Sequence, residues 1–248
     1  GWDVAEGCSS FSQVQFTLKK KDLTVAKKIQ EHLLLLFNKH SQLAEPNTHN
    51  KQTLKIQTTN RALAEFFPNL CGRLSANKHF PKFIEYLPVE KQAIVLRAVW
   101  LGDGTERICK DKRYPDSKSY RCTYKTVSEK LAQQIIHICH RLGYITSIYQ
   151  EIKENPNHQT AFIIDISGDD AKAFYEFLET GKIIEVKRRN SDQTSRKKEI
   201  IQIDNIRYIK RAITSIEKIQ YSGLVYNLEV SNSHTYIANN ICVHNCGA

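Results

Sequence analysis

The sequence of 248 residues contains no methionine and no long apolar run. Its longest uninterrupted apolar stretch, residues 33–37, is far too short to span a bilayer, and no charged-then-apolar leader marks a secretory signal. Its seven cysteines are odd in number and form no Cys-x-x-Cys pair, which argues against a disulfide framework and a four-cysteine zinc site. We therefore expect a protein of a reducing, cytoplasmic compartment without a membrane partner. Without a start methionine, we expect either a removed leader or a fragment of a longer chain.

The composition is typical of a basic globular protein. Hydrophobic residues make up 41% and charged residues 25%, which excludes a disordered chain and leaves room for one large domain or two ordinary ones. Lysine and arginine number 36 against 26 acids, a net charge of +10. This sign favours an anionic partner, most commonly nucleic acid, although a basic protein without such a partner has the same composition.

Two stretches of the chain, 1–87 and 88–180, have a similar order of predicted helices and strands. Asn60 and Ser128 are typical helix caps, Pro88 starts a helix that runs to about residue 102, and Pro68 helps to stop a helix over 62–67. We predict two copies of one α+β unit, each with an antiparallel sheet and helices. The predicted strands are 9–19, 51–58, 120–126, 144–153 and 159–166.

The composition changes after residue 180. Residues 182–211 contain ten lysines or arginines and four acids, which indicates either a solvated linker or a contact with a DNA backbone. From 213 onward the pattern is strand-like, with predicted strands over 213–219 and 224–230 and a hairpin over 235–243. Hairpins of this length do not bury a core alone, so we expect partner strands from elsewhere.

The last residues carry a possible self-cleavage chemistry. The side-chain amide of Asn245 can attack its own carbonyl and release the next residue, with a proton transferred by the adjacent His244. The thiol of Cys246 can accept an acyl group. Taken alone, the triplet is equally compatible with an ordinary strand end.

A longer pattern precedes this triplet, in residues 225–230, 234–239 and 242–246. This run closely resembles the C-terminal splicing motifs of inteins. The resemblance implies that Cys246 begins the C-extein of a host protein and receives the N-extein by transesterification. It also implies that Asn245 then cyclises, assisted by His244, without a cofactor. His234 would be the more distant histidine of the site, and a structural role in the core is its alternative.

The pattern departs from that family in two ways. Asn227 and Asn240 stand where many inteins have Asp and Gly, and neither change is disabling. The chain opens with Gly1 rather than a Cys or Ser, and no Thr-x-x-His motif follows. We therefore expect the N-terminal half of the intein upstream or on another chain.

A second resemblance identifies the repeats. Residues 96–104 resemble the second LAGLIDADG motif of homing endonucleases, which commonly sit inside inteins, and residues 1–7 resemble the end of the first. The resemblance implies that two helices pack closely and that each presents an acid, Glu6 or Asp103, at its C-terminal end. Small residues that permit this approach are Gly1, Ala5, Ala98 and Gly102.

The resemblance also implies a chemistry. Glu6 and Asp103 would hold Mg²⁺ beside the scissile phosphates, although surface acids at helix ends are the alternative. Lys78, within residues 77–84, matches a lysine of the family that assists cleavage. Lys182 and Lys187 are candidates for its counterpart in the second repeat, but no motif selects either. Polar residues on alternate strand positions would face double-stranded DNA, namely Gln13, Gln15, Thr17, Lys55, Gln57, Arg121, Thr123 and Lys125.

The sequence thus predicts an α+β, two-repeat LAGLIDADG domain followed by C-terminal β strands of an all-β intein (Hint) splicing domain. The predicted boundaries are 1–180 for the endonuclease, 181–211 for a basic linker, 212–245 for the splicing part and 246–248 for the C-extein. We predict site-specific double-strand DNA cleavage together with protein splicing. The alternatives are a degenerate DNA-binding element that only splices, and a decayed element that binds DNA or nothing.

Overall fold

The computed structural model describes residues 1–44, 53–111, 114–152, 159–188, 199–203, 206–210, 212–213, 215–226, 228–232, 234–238 and 241–244. Its contacts divide the chain into two compact units, Gly1–Arg188 and Arg189–Ala248. None of the helices among these described residues is both long and apolar enough to cross a membrane.

The first unit contains two four-stranded antiparallel sheets with the same strand order. In the first half the sheet order is β1-β2-β4-β3, and in the second it is β5-β6-β8-β7. The elements of the first half are α1 (Trp2–Glu6), β1 (Gly7–Ser10), β2 (Gln13–Lys19), α2 (Leu23–Phe37), β3 (Gln42–Ala44), β4 (Thr53–Thr59) and α3 (Arg61–Cys71). Those of the second are α4 (Val89–Asp103), β5 (Gly104–Asp111), β6 (Tyr114–Thr126), α5 (Glu129–Arg141), β7 (Ser147–Glu151), β8 (Ala161–Ser167) and α6 (Asp169–Thr180).

Each sheet buries one face against helices. Val14, Phe16 and Leu18 of β2 alternate with half-exposed polar residues, as the period of two in a strand requires. This face packs with α2 and α3 in one core cluster, whereas the second sheet packs with α1, α4, α5 and α6 in another. The polar faces of both sheets are therefore left for contacts outside the core.

Several predicted elements differ from the structure for local reasons. The strand predicted over 9–19 is a hairpin, because Ser10 pairs with Gln13 across a turn. Pro68 lies inside α3 and does not end it; its carbonyl accepts from the Gly72 amide at 2.9 Å, and the helix stops at Gly72, whose φ is +84°. β5 was not predicted, because its residues are mostly polar and it forms by pairing with β6.

The second unit contains two hairpins among its described residues. Strands β9 (Glu199–Ile203) and β10 (Ile206–Lys210) pair within the predicted linker 181–211, so that stretch is not a plain connector. Strands β11 (Thr235–Ala238) and β12 (Ile241–His244) form the hairpin expected near the C-terminus.

The strands predicted over 213–219 and 224–230 are wrong for the described residues there, which form none. A strand needs a neighbouring strand for its backbone groups, and the described residues of these stretches take part in no strand ladder. The large apolar side chains of these stretches are exposed, namely Ile213, Ile216, Ile219, Leu224, Val225, Tyr226 and Leu228.

Candidate functional site

Helices α1 and α4 approach closely at two points. A Cβ built on Gly1 would lie 2.6 Å from the Cβ of Ala98, and one built on Gly102 would lie 2.6 Å from the Cβ of Ala5. Larger side chains at either contact would force the two backbones apart. The prediction that small residues permit this helix contact is confirmed.

Glu6 and Asp103 are the last residues of these two helices. A Cβ on Gly102, the residue before Asp103, would lie 3.4 Å from a Glu6 carboxylate oxygen. The two acids therefore lie at the adjoining ends of the two helices. Burial, and then the negative charge of Asp103, raises the pKa of Glu6 to about 7. Loss of hydration also raises the pKa of Asp103, although the residue is partly exposed to solvent.

Tyr124 is a member of this site that the sequence did not reveal. It lies on the buried face of β6, is only 1% exposed, and its hydroxyl donates a hydrogen bond to the Asp103 carboxylate. Burial and the charges of Asp103 and Glu6 raise the pKa of Tyr124 well above its usual range, so the hydroxyl stays a donor. No periodicity separates this tyrosine from an ordinary core residue.

Two lysines supply positive charge to the acids. Lys78 lies in the segment that follows α3, and its attraction lowers the pKa of Asp103 against the effect of burial. Lys19, at the end of β2, acts on Glu6 and Asp103 in the same direction. The family resemblance indicates Lys78 from the sequence, whereas no motif marks Lys19. Lys182 and Lys187, the candidates in the second repeat, are both exposed.

A cleft of about 650 Å³ opens beside this centre. Asp3, Lys78 and Asp103 line it, together with Arg73 and Lys125. Its wall thus combines Asp3 from the first turn of α1 and Asp103 from the end of α4 with three cations, a composition suited to a phosphate group and its counterions.

The donor set fits a divalent cation in part. Glu6 and Asp103 provide hard oxygen ligands, and their mutual repulsion is the kind of charge excess that a bound Mg²⁺ relieves. Within the described ranges, no group of three or more His, Cys, Asp or Glu side chains gathers as a metal site. Protein carboxylates alone therefore leave Mg²⁺ coordination to be completed by water or substrate oxygens, as is usual for this ion.

The polar sheet faces differ between the halves. In the first sheet, Gln15 pairs with Gln57 and Thr17 with Lys55 across neighbouring strands, and all four are half-buried. In the second sheet the predicted DNA-contacting cations already have acidic partners: Arg121 donates to Asp165 at 2.6 Å, and Lys125 forms an ion pair with Glu151. Gln13 and Thr123 also lie on these outer faces.

The C-terminal hairpin brings two predicted residues together. The ring centroids of His234 and His244 lie 6.1 Å apart, and both rings are exposed. His234 has a φ of +50°, and the ladder pairs its neighbour Thr235 with His244. Asn245 and Cys246 lie outside the described residues, as do Asn227 and Asn240.

Comparison with known proteins gives several similarities. Residues 90–179 match the family model of the LAGLIDADG-like domain. An uncharacterised protein of Methanocaldococcus jannaschii is 23% identical over 257 residues, covering 99% of this chain and 29% of the relative. An ATP-dependent DNA helicase of Thermococcus kodakarensis is 26% identical over 247 residues, or 98% of this chain and 20% of the helicase. DNA topoisomerase 1 of Pyrococcus furiosus is 62% identical over 34 residues, or 14% of this chain and 3% of the enzyme.

The chain spans less than a third of the length of the first curated relatives it matches. Among solved structures, that of I-DmoI in complex with DNA and Ca has a TM-score of 0.50 at 14% identity, over 75% of this chain and 89% of that chain. This likeness supports the fold. The paired sheets and the two contacting helices give an α+β fold, within which residues 90–179 match the LAGLIDADG-like domain.

Proposed function

We propose that residues 1–180 are an Mg²⁺-dependent endonuclease that makes site-specific double-strand breaks in DNA. The observation that carries this proposal is the pair of acids, Glu6 and Asp103, at the adjoining C-terminal ends of α1 and α4. Each acid belongs to one half of the domain, and each half has a sheet of the same strand order. An arrangement of this kind offers one hydrolytic centre for each DNA strand.

The reaction hydrolyses a phosphodiester in each strand. A water oxygen bonds to phosphorus, the bond from phosphorus to the leaving oxygen breaks, and a proton passes to that oxygen. Glu6 and Asp103 would hold Mg²⁺, which when bound stabilises the charge on the phosphate and acidifies water. Lys78 contributes a positive charge next to Asp103, and Tyr124 fixes the carboxylate of Asp103 by its hydrogen bond.

DNA binding in this proposal uses the outer faces of the two sheets. The amides and hydroxyls of the first sheet, where the Gln15 amide donates to the Thr17 hydroxyl at 3.1 Å, suit base edges. Arg121 and Lys125 would each exchange an acidic partner for a phosphate. The net charge of +10 favours association with DNA at low salt. The fold likeness to I-DmoI, a protein solved in complex with DNA, supports the same assignment.

The test incubates the purified chain with Mg²⁺ and a pool of random DNA duplexes, and captures and sequences the cut ends over repeated rounds. We expect one recovered site, cut by the wild-type chain and by Glu90→Gln at the far end of α4, but not by Asp103→Asn. Selective binding of a duplex without cutting in any divalent metal would instead support the alternative, a degenerate DNA-binding element.

We further propose that residues 212–245 are the C-terminal part of an intein splicing domain, with 181–211 joining it to the endonuclease and 246–248 beginning the C-extein. The observation that favours this is the His234–His244 pair at the end of the C-terminal hairpin. The relatives support it as well, because similar segments occur within a helicase, DNA polymerases and a topoisomerase. A segment shared by proteins of such different activities behaves as an inserted element.

In the last step of this second activity, the side-chain nitrogen of Asn245 bonds to its own carbonyl carbon. The peptide bond to Cys246 breaks, and the proton lost by the amide reaches the departing amine, with His244 as the carrier. A succinimide remains at Asn245. His234 lies near enough to orient His244.

Mass spectrometry tests this step. The chain alone is expected to release Cys-Gly-Ala slowly, and Asn245→Ala to abolish the release. Mixed with a candidate N-terminal intein half that carries a tagged extein, the wild-type chain is expected to join that extein to Cys246. Release of the tripeptide from Asn245→Ala would contradict the assignment.

A further inference from the structure

Helix α1 contains a second acid, Asp3, that neither the metal pair nor the helix contact uses. Its side chain is only 10% exposed, and it faces the 16% exposed side chain of Lys78, with 3.8 Å between a carboxylate oxygen and Nζ. An acid within a packing helix needs a compensating partner, because burial of a lone charge is costly. Lys78 is that partner.

The Lys78 ammonium is held by three oxygens of α1 and its end. Nζ donates hydrogen bonds to the carbonyl oxygens of Asp3 at 2.7 Å and of Gly7 at 3.0 Å, while the Asp3 carboxylate lies on its third side. These partners flank Glu6 in the sequence. The ammonium is therefore fixed with respect to the helix end that carries the metal-binding acid.

Two neighbours keep the Asp3 carboxylate in place. A Cβ on Gly7 would lie 2.3 Å from one of its oxygens, so the absence of a side chain at Gly7 makes the space that the carboxylate occupies. The thiol of Cys71 donates a hydrogen bond to Asp3. Burial, followed by the charge of Asp3, raises the pKa of Cys71 to about 11, so the thiol remains a donor.

The second half of the domain has no such acid at the matching position. Asp3 lies three residues before Glu6, and Trp100 lies three residues before Asp103. Trp100 is fully buried and packs its ring at 4.6 Å from that of Phe174. The two halves therefore differ in polarity at equivalent places beside their metal-binding acids.

The lysines differ in the same way. Lys78 follows the helix-ending Gly72 by six residues, and Lys187 follows Gly181 by six residues. Both glycines end a helix with positive φ, which makes the lysines topologically equivalent. Lys78 is half-buried against α1, whereas Lys187 is exposed.

We propose that Asp3 is a positioning residue that fixes Lys78 for the cleavage of one DNA strand, so that the two strands are cut at unequal rates. This inference rests on the proposed endonuclease function. Displacement of a charged group by about an ångström is enough to slow a reaction by up to about 100-fold. Loss of the Asp3 carboxylate therefore slows the strand served by Lys78 and leaves the other strand nearly unchanged.

The first experiment measures each strand separately on the duplex recovered by selection, with a distinct 5′ label on each strand. For the wild-type chain we expect a nicked intermediate. Asp3→Asn, which keeps the side-chain shape, is expected to lower the single-turnover rate on one strand by about tenfold or more. Lys78→Met is expected to slow the same strand, and Asp3→Asn to add nothing in the Lys78→Met background. Equal slowing of both strands, no slowing, or additive effects would overturn the proposal.

The second experiment needs no DNA. Reductive methylation of the chain, read by mass spectrometry, compares Lys78 with the half-buried Lys55, which lies on the polar face of β4. Asp3→Ala is expected to raise the labelling rate of Lys78 several-fold and to leave Lys55 unchanged. Unchanged labelling of Lys78 would show that Asp3 does not hold the Lys78 ammonium in place, and would refute the proposal. If Asp3→Ala does raise the labelling of Lys78 but the wild-type chain cuts no DNA, the contact between Asp3 and Lys78 stands and the endonuclease proposal fails instead.

Discussion

Glu6→Gln removes the more perturbed of the two paired acids and should change how stability depends on pH. Burial and Asp103 raise the pKa of Glu6 from its ordinary 4.5 to about 7 in the folded protein. Between these values the unfolded chain loses the proton while the native chain keeps it, so stability falls as pH rises through this window and stays low above it. The shift corresponds to about 3 kcal/mol, and partial exposure of the side chain screens it to about 2 kcal/mol.

The assay is urea unfolding of the metal-free chain at pH 5 and pH 8, followed by tryptophan fluorescence. Both tryptophans, Trp2 and Trp100, lie in the first unit and near this site. We expect the stability of Glu6→Gln relative to wild type to increase by about 2 kcal/mol from pH 5 to pH 8. Exposed Glu31→Gln is the matched control and should show a difference below about 0.5 kcal/mol at either pH.

The effect of Mg²⁺ on stability is a second test of the Glu6 carboxylate. Mg²⁺ at about 100 times its dissociation constant should stabilise the wild-type chain by about 2.7 kcal/mol at pH 8, and Glu6→Gln much less. Two results together would refute the assignment of Glu6 as a metal-binding acid with a raised pKa. The first is a stability difference between Glu6→Gln and wild type that is the same at both pH values. The second is an undiminished metal response in Glu6→Gln.

Three further substitutions test the helix contact at the site, a buried ion pair and a helix cap. Gly102→Val, where even one added carbon meets Ala5 at 2.6 Å, is expected to destabilise the chain by about 1–3 kcal/mol and to abolish DNA cutting, whereas the exposed Ala62→Val should do neither. Arg188→Ala leaves the buried Asp170 without its 2.6 Å partner and is expected to cost about 3–5 kcal/mol by chemical unfolding. Asn60→Ala removes the cap of α3 and is expected to cost about 1 kcal/mol.

Two controls belong to these substitutions. Arg61→Ala breaks an exposed pair with Glu65 and should change stability by less than about 1 kcal/mol, so an equal loss from Arg61→Ala and Arg188→Ala would contradict the argument from burial. Asp22→Ala removes a residue before α2 that makes no side-chain cap bond, and a loss as large as that of Asn60→Ala would contradict the argument from capping.

The parts of the fold that depend on local chemistry were predictable. Asn60 and Ser128 accept hydrogen bonds from backbone amides three residues on, as capping residues do, and their helices begin where the sequence indicates. The small residues at the helix contact were also predictable, because the resemblance required two helices to touch. In contrast, the polar strand β5 was missed, since its partner β6 and not its own periodicity makes it a strand.

Long-range contacts explain what the sequence left hidden at the site. Asp3 and Lys78 are 75 residues apart, so neither one indicates that it holds the other. Tyr124 has the burial pattern of a core residue, and only the folded sheet brings its hydroxyl to Asp103. The apolar residues of 213–219 and 224–230 favoured strands, and that prediction was wrong for the described residues. A strand also needs a neighbouring strand, and the described ladders of the second unit include none of these residues.

The most direct test of the central claim is a time course of cutting on the selected duplex with Mg²⁺ or with EDTA. We expect a linear break at one site in Mg²⁺, no break in EDTA, and no break by Asp103→Asn in either condition. Cutting that survives EDTA, or that Asp103→Asn performs as fast as the wild-type chain, would contradict the assignment of Glu6 and Asp103 as the metal-holding acids of an endonuclease.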